Sequence, residues 1–555
     1  MTEIFKQLMK KRGLDESFLH PKYEDLDDPF LLPDMEKALV RLEKARENRE
    51  KVIVYGDYDV DGVTASAEMI EILQIIGVER VEVMLPNRFT DGYGMSERVI
   101  ERAKQTGATL VMTVDCGSNN GEIIAELAEN GVDTIVTDHH ELQGEVPKEA
   151  VAVINPKRED FRKAILQRQA EILEKGEGKD FSSLSELCGA GVVFMLARAM
   201  VEKGWIKDGQ EKWLLDLVAI GTVCDTMKLI GNNRIICYYG LIVLKKTRRP
   251  GLKELMKVAK MREINTEALG FQIGPRLNAA GRMETAETAL KLLTTKSSPE
   301  AAKIAKELNK LNEERRRQQE EATRGIQEKG VGDEKVLVVE GPWHEGVLGI
   351  IAGRLVELYK RPCFVISSEN GKGSGRSFGD FNLALALAEC QETIEKGGGH
   401  AEACGLKLKT GMVNEFRKAV NKYYNSLKLR DQERYLLKNE DLKIRELKDL
   451  NLNLIEDLEL LEPFGTGNPE PVFLAEKMVV SQVRRMGTSS QHLSVIVSQK
   501  ERIFRLVAFN APEEWMNLQI GEKADVWFTP VVNDWHGDKT VEGRLLRVEV
   551  APDQF

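Results

Sequence analysis

The stretch KVIVYGDYDVDGVTASAEMIEILQIIG, residues 51–77, decides the fold of this chain. It opens with β-branched and aromatic residues, turns through three aspartates, and continues with apolar residues at helical spacing. A short apolar run followed by a turn and a helix pattern is typical of one strand and one helix of a parallel α/β sheet. Ligands of such sheets bind at the carboxyl ends of the strands, where these aspartates lie.

The same alternation of strand and helix patterns continues to about residue 234. Further strand patterns are ATLVMTVDCG (108–117), VDTIVTDHH (132–140) and VAVINP (151–156), and helix patterns such as GEIIAELAENG (121–131) lie between them. We therefore expect a doubly wound parallel α/β sheet in this part of the chain.

The remaining chain divides into three further parts. Residues 299–329 are rich in Ala, Glu, Lys and Arg and predict a long exposed helix that connects domains. A new, smaller α/β pattern begins near residue 335, and five strand patterns after residue 451 favour a small β-barrel, with an OB-fold as the first hypothesis. The expected domains are residues 1–255 with an N-terminal segment, connecting helices at 256–330, the smaller α/β domain at 331–430 and the barrel at 431–555.

Composition excludes several classes of protein. With 79 basic and 89 acidic residues, the chain is not a uniformly cationic coat for nucleic acid, so a phosphate-binding surface must be local. Seven cysteines without a CxxC pair argue against a disulfide framework and a thiolate zinc site. The N-terminal residues lack the apolar core of a signal peptide, and no run approaches the ~18 apolar residues of a membrane span, so a cytoplasmic protein is expected.

Acidic side chains follow four consecutive apolar segments. They are Asp57, Asp59 and Asp61 after the first, Asp115 after the second, Asp138 with His139 and His140 after the third, and Asp225 after the fourth. If these segment ends meet at one edge of the sheet, the carboxylates repel each other unless divalent cations neutralise them. Carboxylates with imidazole suit Mn²⁺ or Mg²⁺, and two such ions can hydrolyse a phosphoester.

Local geometry gives two further expectations and two alternatives. Adjacent side chains on an extended segment point opposite ways, so His139 and His140 should not bind one ion together. Gly62 should begin the next helix with its N–H groups open to anions. Alternatively, each aspartate is only a turn former or helix cap, or the first three form a calcium loop completed by Glu68.

Nine motifs resemble a known family. DYDVDG (57–62), VDCGS (114–118), TDHHE (137–141) and AIGTVCD (219–225) resemble, in order, the motifs of the DHH phosphoesterases. Five later segments resemble the RecJ branch, whose members are bacterial single-strand-specific DNA exonucleases. They are GPRLNAAGRM (274–283), WHEGVLGIIAGRL (343–355), GSGRSFGDFNL (373–383), KGGGHAEACGL (396–406) and EPFGTGNPEPVF (462–473).

The resemblance implies the fold and the metal ligands. The domains would be a DHH domain with a parallel sheet, connecting helices, a smaller α/β DHHA1 domain and a C-terminal OB-fold. Two Mn²⁺ or Mg²⁺ ions would be bound by Asp59, Asp61, Asp115, His139 and Asp225, with Asp57 as a further candidate. Asp115 would bridge the ions, His140 would act near the scissile phosphate, and Asp138 would orient a histidine.

The resemblance also implies residues that bind DNA. Ser374, Arg376, Ser377 and His400 would hold a 5′ phosphate, and an arginine beside a Gly-rich loop suits phosphate geometry. Arg276, Asn278 and Arg282 would bind phosphates near the scissile bond, with structural salt bridges as the alternative. His344 would touch substrate or simply pack beside Trp343, and Glu345 stands where the family commonly has proline. In the barrel, basic and aromatic residues would form a platform for single strands, namely Arg484, Arg485, Phe504, Arg505, Phe509 and Trp535.

The function implied is a metal-dependent exonuclease that degrades single-stranded DNA from its 5′ end, releases 5′-mononucleotides, and serves recombination and repair. The alternatives are a DHH phosphodiesterase for short oligonucleotides and a catalytically inactive DNA-binding scaffold. The resemblance further implies a single-stranded-DNA-binding protein and a RecQ-type helicase as partners. No membrane association is expected, and a self-contained multidomain clamp favours a monomer.

Overall fold

Two compact units make up the chain in the computed structural model, which describes residues 1–88, 90–91, 94–174, 182–429, 439–487, 490–535 and 538–550. Residues 1–27, 226–239 and 436–555 form one unit, and residues 28–225 and 240–435 form the other. The larger unit contains two sheets and the smaller unit contains one.

Nineteen α-helices lie in the described residues. In chain order they are α1 Glu3–Arg12, α2 Glu16–Leu19, α3 Met35–Glu47, α4 Val60–Ile75, α5 Arg98–Thr106, α6 Gly121–Glu129, α7 Glu159–Glu174, α8 Gly189–Glu202, α9 Leu215–Cys224, α10 Gly231–Lys245, α11 Pro250–Val258, α12 Thr266–Ala268, α13 Gly274–Met283, α14 Glu287–Thr294, α15 Ser298–Lys329, α16 Leu348–Tyr359, α17 Leu383–Glu389, α18 Val413–Ser426 and α19 Leu452–Glu459. A π-helical turn, Leu269–Ile273, precedes α13.

Sixteen strands lie in the described residues. They are β1 Lys51–Gly56, β2 Arg80–Met84, β3 Leu110–Val114, β4 Asp133–Thr137, β5 Ala152–Ile154, β6 Leu337–Gly341, β7 Cys363–Ser367, β8 Lys372–Arg376, β9 Ile394–Gly399, β10 Ala403–Leu408, β11 Leu442–Ile444, β12 Phe473–Met486, β13 His492–Gln499, β14 Arg502–Ala508, β15 Lys523–Trp535 and β16 Asp538–Val550.

The first sheet is fully parallel, with the strand order β2-β1-β3-β4-β5. Strands β1, β3 and β4 are buried and rich in β-branched residues, as expected for a sheet covered by helices. Helices α5 and α6 pack on one face through a core that includes Ile53, Val111 and Val136. The expected parallel α/β fold is confirmed.

The fourth acidic segment end belongs to a helix. Residues before Asp225 form α9, whose side chains from Leu215 to Thr222 are buried all round. A helix that is apolar on every side has no helical periodicity to read, so the sequence alone does not distinguish it from a buried strand.

The connecting helices end with α15, which spans 32 residues and begins at Ser298, one residue before the expected start. The Ser297 side chain caps it by accepting from the N–H of Glu300, and Pro299 lies in its first turn. The second sheet follows, with the order β6-β7-β8-β10-β9 and helices α16, α17 and α18.

The third sheet is a β-barrel. Its order is β11-β12-β13-β14-β16-β15, and pairing of β12 with β15 closes it. Its core includes Phe473, Phe504 and Phe528, and it also takes in Phe5 and Leu8 of α1. The N-terminal segment therefore packs with the barrel, whereas we expected it with the parallel sheet, because α1 buries its apolar face in the barrel core.

No helix within the described residues is long and apolar enough to cross a membrane.

Candidate metal centre

The register of the parallel sheet brings the strand-end acids together. Gly56 of β1 lies opposite Val114 of β3, and Val114 lies opposite Thr137 of β4. The next residue along each strand is Asp57, Asp115 or Asp138, so the three carboxylates follow neighbouring strands at one edge of the sheet. All three side chains are buried.

Helix ends place the other two acids of the first motif. Asp59 is the N-cap of α4 and accepts from the N–H of Gly62 at 3.0 Å. The helix thus begins at Val60, earlier than expected, and the Gly62 N–H is not open to anions. The carboxylate of Asp61 accepts from the first two N–H groups of α8, those of Gly189 at 2.6 Å and Ala190 at 3.0 Å.

His139 lies at the centre of the acids. Its Nε2 is 3.2 Å from Asp115 Oδ1, 3.5 Å from Asp225 Oδ2 and 3.8 Å from Asp61 Oδ2. Asp115 Oδ1 and Asp225 Oδ2 are buried, yet neither has a hydrogen-bond partner among the described residues. Buried oxygens are normally paired, so these two atoms are suited to binding a cation.

Three overlapping groups of possible ligands have donor atoms within 4.8 Å of one another. They are Asp57, Asp59 and Asp115; Asp61, His139 and Asp225; and Asp115, His139 and His140. We call Asp57, Asp59, Asp61, Asp115, His139 and Asp225 the acid-histidine cluster. Because its groups share Asp115 and His139, the donor set fits two adjacent cations with oxygen and imidazole ligands.

Protonation of the cluster supports this fit. Burial, followed by the charge of Asp59, raises the pKa of Asp57 to about 8. Burial and neighbouring carboxylates likewise raise the pKa of Asp59, Asp115 and Asp225. Bound divalent cations would remove the cost of ionising these acids together.

The two histidines do not point in opposite directions. Their ring centroids are only 4.5 Å apart, so the geometric expectation was wrong. Asp138 Oδ1 accepts from the backbone N–H groups of both His139 at 2.7 Å and His140 at 3.1 Å, which turns the chain at the end of β4. The alternation rule applies only to extended chain.

Asp138 also holds the ring of His140. His140 Nδ1 lies 2.8 Å from Asp138 Oδ1, and Asp138 Oδ2 accepts from the N–H of Ser118 at 2.9 Å. Burial alone would lower the pKa of His140, but the Asp138 hydrogen bond and surrounding carboxylates raise it to about 9. Burial raises the pKa of Asp138, but its hydrogen bond and the charges of both histidines leave it well below the ordinary value. The hydrogen bond between the two side chains therefore favours the protonated form of His140 and the ionised form of Asp138.

Four arginines from distant segments form a second cluster, the arginine cluster: Arg88 after β2, Arg282 on α13, Arg315 on α15 and Arg376 on β8. Burial, and then the charges of the other three, lowers the pKa of Arg282 to about 10. Among the described residues none of the four forms an ion pair with an acid, and the charge of Asp59 only partly offsets the lowering of the Arg282 pKa. Half-buried cations that outnumber the nearby acids make a site for an anion such as phosphate.

Tyr58 connects the two clusters. It lies between Asp57 and Asp59, and the guanidinium carbon of Arg88 is 5.4 Å from the centroid of its ring. Helix α13 also lies close to Tyr58, because a Cβ on Gly281 would lie 2.8 Å from the Tyr58 carbonyl oxygen.

The remaining predicted site residues are spread around these clusters. Ser374 Oγ accepts from Arg376 at 3.2 Å, whereas the Ser377 hydroxyl donates to the Phe381 carbonyl within its own loop. His400 is exposed and its N–H donates to the Ala403 carbonyl oxygen at 2.8 Å. Asn278 is half-buried on α13.

Arg276 and His344 make structural contacts. Arg276 donates to Asn309 at 3.0 Å and to the Gln272 carbonyl at 2.7 Å, so its side chain faces α15. His344 is exposed and its Nδ1 accepts from the N–H of Gly346 at 3.2 Å. In the barrel, Phe504 is a core residue, Phe509 is 68% exposed, and the Trp535 side chain lies outside the described residues.

Glu68 does not complete a calcium loop. It is fully buried within α4 and belongs to none of the ligand groups found among the described residues.

Family models match three parts of the chain. Residues 51–222 match the N-terminal domain of the DHH family, residues 333–426 match the DHHA1 domain, and residues 441–546 match the RecJ OB domain.

Relatives match over nearly the whole chain. The single-stranded-DNA-specific exonuclease RecJ of Bacillus subtilis is 34% identical over 97% of this chain and 67% of its own length. That of Escherichia coli is 33% identical over 84% of this chain and 81% of its own length. The chain belongs to the RecJ family.

A crystal structure of RecJ from Thermus thermophilus in complex with Mn²⁺ superposes on this RecJ-family chain with a TM-score of 0.82 and 28% identity. The match covers 98% of this chain and 75% of the Thermus chain. A crystal structure of the same Thermus protein in complex with Mg²⁺ superposes with a TM-score of 0.76 and 26% identity. That match covers 99% of this chain and 74% of the Thermus chain.

Sequence reasoning missed Arg88 and Arg315 of this RecJ-family chain. Arg88 follows β2 near the carboxyl end of the strand, a position that could have been examined as the other strand ends were. Arg315 is the first of three consecutive arginines, and the sequence alone does not say which one faces inward.

Proposed function

We propose that this chain is a metal-dependent exonuclease that degrades single-stranded DNA in the 5′ to 3′ direction and releases 5′-mononucleotides during recombination and repair. The observation that carries the proposal is the acid-histidine cluster, in which Asp115 and Asp225 offer buried, unpartnered oxygens beside His139. Membership of the RecJ family supports the substrate and the direction.

The proposed ligands of two Mn²⁺ or Mg²⁺ ions are Asp57, Asp59, Asp61, Asp115, His139 and Asp225, with Asp115 shared. When bound, the ions would activate water and neutralise charge on the scissile phosphate. Asp61 is held for this role by the N–H groups of Gly189 and Ala190. Asp115 is fixed by its position after β3, where its N–H donates to the Thr137 carbonyl oxygen at 2.9 Å.

His140 is the proposed proton donor. Asp138 binds its Nδ1, which orients the ring and favours its protonated form. The Nε2 proton would then pass to the 3′ oxygen that leaves when the phosphodiester bond breaks. Asp138 acts by positioning His140 and remains an anion.

The arginine cluster is the proposed site for the 5′-terminal phosphate, with Ser374 beside Arg376. Its connection to the metal ligands through Tyr58 would place the end of the strand one short step from the scissile bond, so each cleavage would remove one nucleotide. Ser377, His400, Asn278, Arg276 and His344 remain proposed contacts to the strand near this end. The barrel would bind the rest of the strand through exposed residues such as Arg484, Arg485 and Phe509.

The test is cleavage of an oligonucleotide labelled at either end, with Mn²⁺ and with EDTA. We expect single nucleotides from the 5′ end, abolished by EDTA and by Asp115→Ala but not by Glu101→Ala, which changes an exposed acid on α5. Release from the 3′ end would refute the direction. Cleavage of dinucleotides but not of long strands would favour a phosphodiesterase for short oligonucleotides, and binding without cleavage would favour an inactive scaffold.

We also propose that the chain acts as a monomer in the cytoplasm, with a single-stranded-DNA-binding protein and a RecQ-type helicase that supply single strands. Sedimentation of the purified chain would test the monomer, and a dimer would contradict it. Stimulation of nucleotide release from duplex DNA by the two purified proteins would test the partners, and its absence would contradict that assignment.

A further inference from the structure

The strand next to β4 also ends at the candidate metal centre. Ile154 of β5 lies opposite Thr137 of β4, so Asn155 follows β5 beside Asp138. No role was predicted for this strand end, because an asparagine followed by proline is typical of a turn.

Asn155 uses its whole side-chain amide inside the protein. Its Nδ2 donates to Ser118 Oγ at 2.7 Å and to the His140 carbonyl oxygen at 3.0 Å. Its Oδ1 accepts from the N–H of Lys157 at 2.7 Å. The side chain is fully buried, so water does not compete for these bonds.

These bonds close a ring around the catalytic histidine. The Ser118 hydroxyl accepts from Asn155, and the Ser118 backbone N–H donates to Asp138 Oδ2. Asp138 Oδ1 in turn hydrogen-bonds to His140 Nδ1, and the His140 carbonyl oxygen accepts from Asn155 Nδ2, which completes the ring. The loops after β3 and β4 are therefore fixed to each other, and His140 is held at both its ring and its backbone.

We propose that Asn155 is a positioning residue that sets the place of His140 relative to the acid-histidine cluster. The inference rests on the proposed function, in which His140 acts on the scissile phosphate. Among the described residues the Asn155 side chain hydrogen-bonds to Ser118, His140 and Lys157 and to no proposed metal ligand, so its loss should act on the chemical step. Loss of the hydrogen-bond partners that orient histidines at metal centres typically costs about 10–100-fold in metal affinity or activity.

The first experiment compares Asn155→Ala with Asn119→Ala. Asn119 also joins the two loops, through the Glu141 carbonyl at 3.0 Å and the N–H of Gln143 at 2.7 Å, but beyond His140. We expect Asn155→Ala to lower kcat for release of nucleotides by about 10–100-fold, while KM and Mn²⁺ affinity stay near wild type. Asn119→Ala should keep the wild-type kcat. Equal losses in the two variants, or a loss confined to KM or to Mn²⁺ affinity, would overturn the proposal.

A double-mutant cycle separates positioning from a general structural role. If Asn155 acts through His140, Asn155→Ala causes no further loss of single-turnover rate when His140 is already changed to Gln. Losses that multiply would refute the assignment. If Asn155→Ala does not fold, Ser118→Ala replaces it, because this variant keeps the hydrogen bond from Asn155 to the His140 carbonyl. Its single-turnover rate should fall by less than tenfold, and a larger loss of rate would also refute the assignment of Asn155.

A crystal structure of Asn155→Ala with Mn²⁺ gives a readout that does not need activity. We expect the His140 ring to move by about 1 Å relative to Asp115, a displacement large enough to cost about 10²-fold in rate. An unmoved ring would overturn the inference. If the wild-type chain degrades no DNA, the proposed function fails, and the position of this ring still decides the role of Asn155.

Discussion

Gly189 is the residue on which two of the proposed metal ligands depend. It is the first residue of α8, and its N–H donates to Asp61 Oδ2 at 2.6 Å. A Cβ at this position would lie 2.5 Å from Asp115 Cβ and 2.7 Å from Asp115 Oδ1. We predict that Gly189→Ala displaces the Asp115 carboxylate.

The size of the effect follows from the contact. Non-bonded carbon atoms pack at about 3.5–4.0 Å, so a contact of 2.5 Å must open by about 1 Å. Displacement of a reacting group by about 1 Å can lower the rate about 10²-fold. Overpacking of this kind costs about 1–3 kcal/mol, which leaves the protein folded with a lower Tm.

The assay is release of mononucleotides from single-stranded DNA, together with Mn²⁺ binding by calorimetry. Gly121→Ala is the matched control, because Gly121 is the first residue of α6 in the same domain and a Cβ there meets nothing within 4 Å. We expect the control to match wild type in both measurements.

Two outcomes would refute this reasoning. One is wild-type kcat and Mn²⁺ affinity in Gly189→Ala, which would mean that Asp115 can move without consequence. The other is an equal loss in Gly121→Ala, which would mean that any alanine at the start of a helix in this domain has the same effect.

Three further predictions concern charge. The pKa of Asp57 is raised to about 8, and the pKa values of Asp59, Asp115 and Asp225 are also raised, so the folded chain holds protons that the unfolded chain releases. In EDTA, the Tm should therefore fall as the pH rises from about 4 to about 8. A Tm that does not change with pH over this range would contradict the prediction. Saturating Mn²⁺ should remove that fall. Burial and then the charge of Asp61 raise the pKa of Glu68, so Glu68→Met should increase the free energy of unfolding, measured by chemical denaturation, by about 1–4 kcal/mol. Glu71→Gln should instead decrease the free energy of unfolding, because the Glu71 carboxylate accepts a hydrogen bond from Arg249 at 2.6 Å. In competition assays, Arg282→Ala should weaken the preference for 5′-phosphate over 5′-hydroxyl ends by about 10–100-fold. The control Arg354→Ala, on the exposed face of α16, should leave this preference unchanged. An unchanged preference in Arg282→Ala would exclude the arginine cluster as the site for the 5′ end.

Features that depend on short stretches of chain were predicted well. The β-branched runs before Asp57, Asp115 and Asp138 formed parallel strands, and the five strand patterns after residue 451 formed the barrel. Strand period and turn chemistry are local properties, so a single sequence carries them. The direction of the His140 ring was not predictable in this way, because one carboxylate turns the chain there.

The sequence by itself determined that acids and histidines follow successive buried segments, since the carboxyl ends of parallel strands must share one edge of the sheet. Only the tertiary structure decided which groups complete the site. Arg88, Arg282, Arg315 and Arg376 come from segments up to about 290 residues apart, and the N–H groups that hold Asp61 belong to a helix that begins 128 residues later. Such neighbours are set by how helices and sheets pack against each other, and no local pattern records that packing.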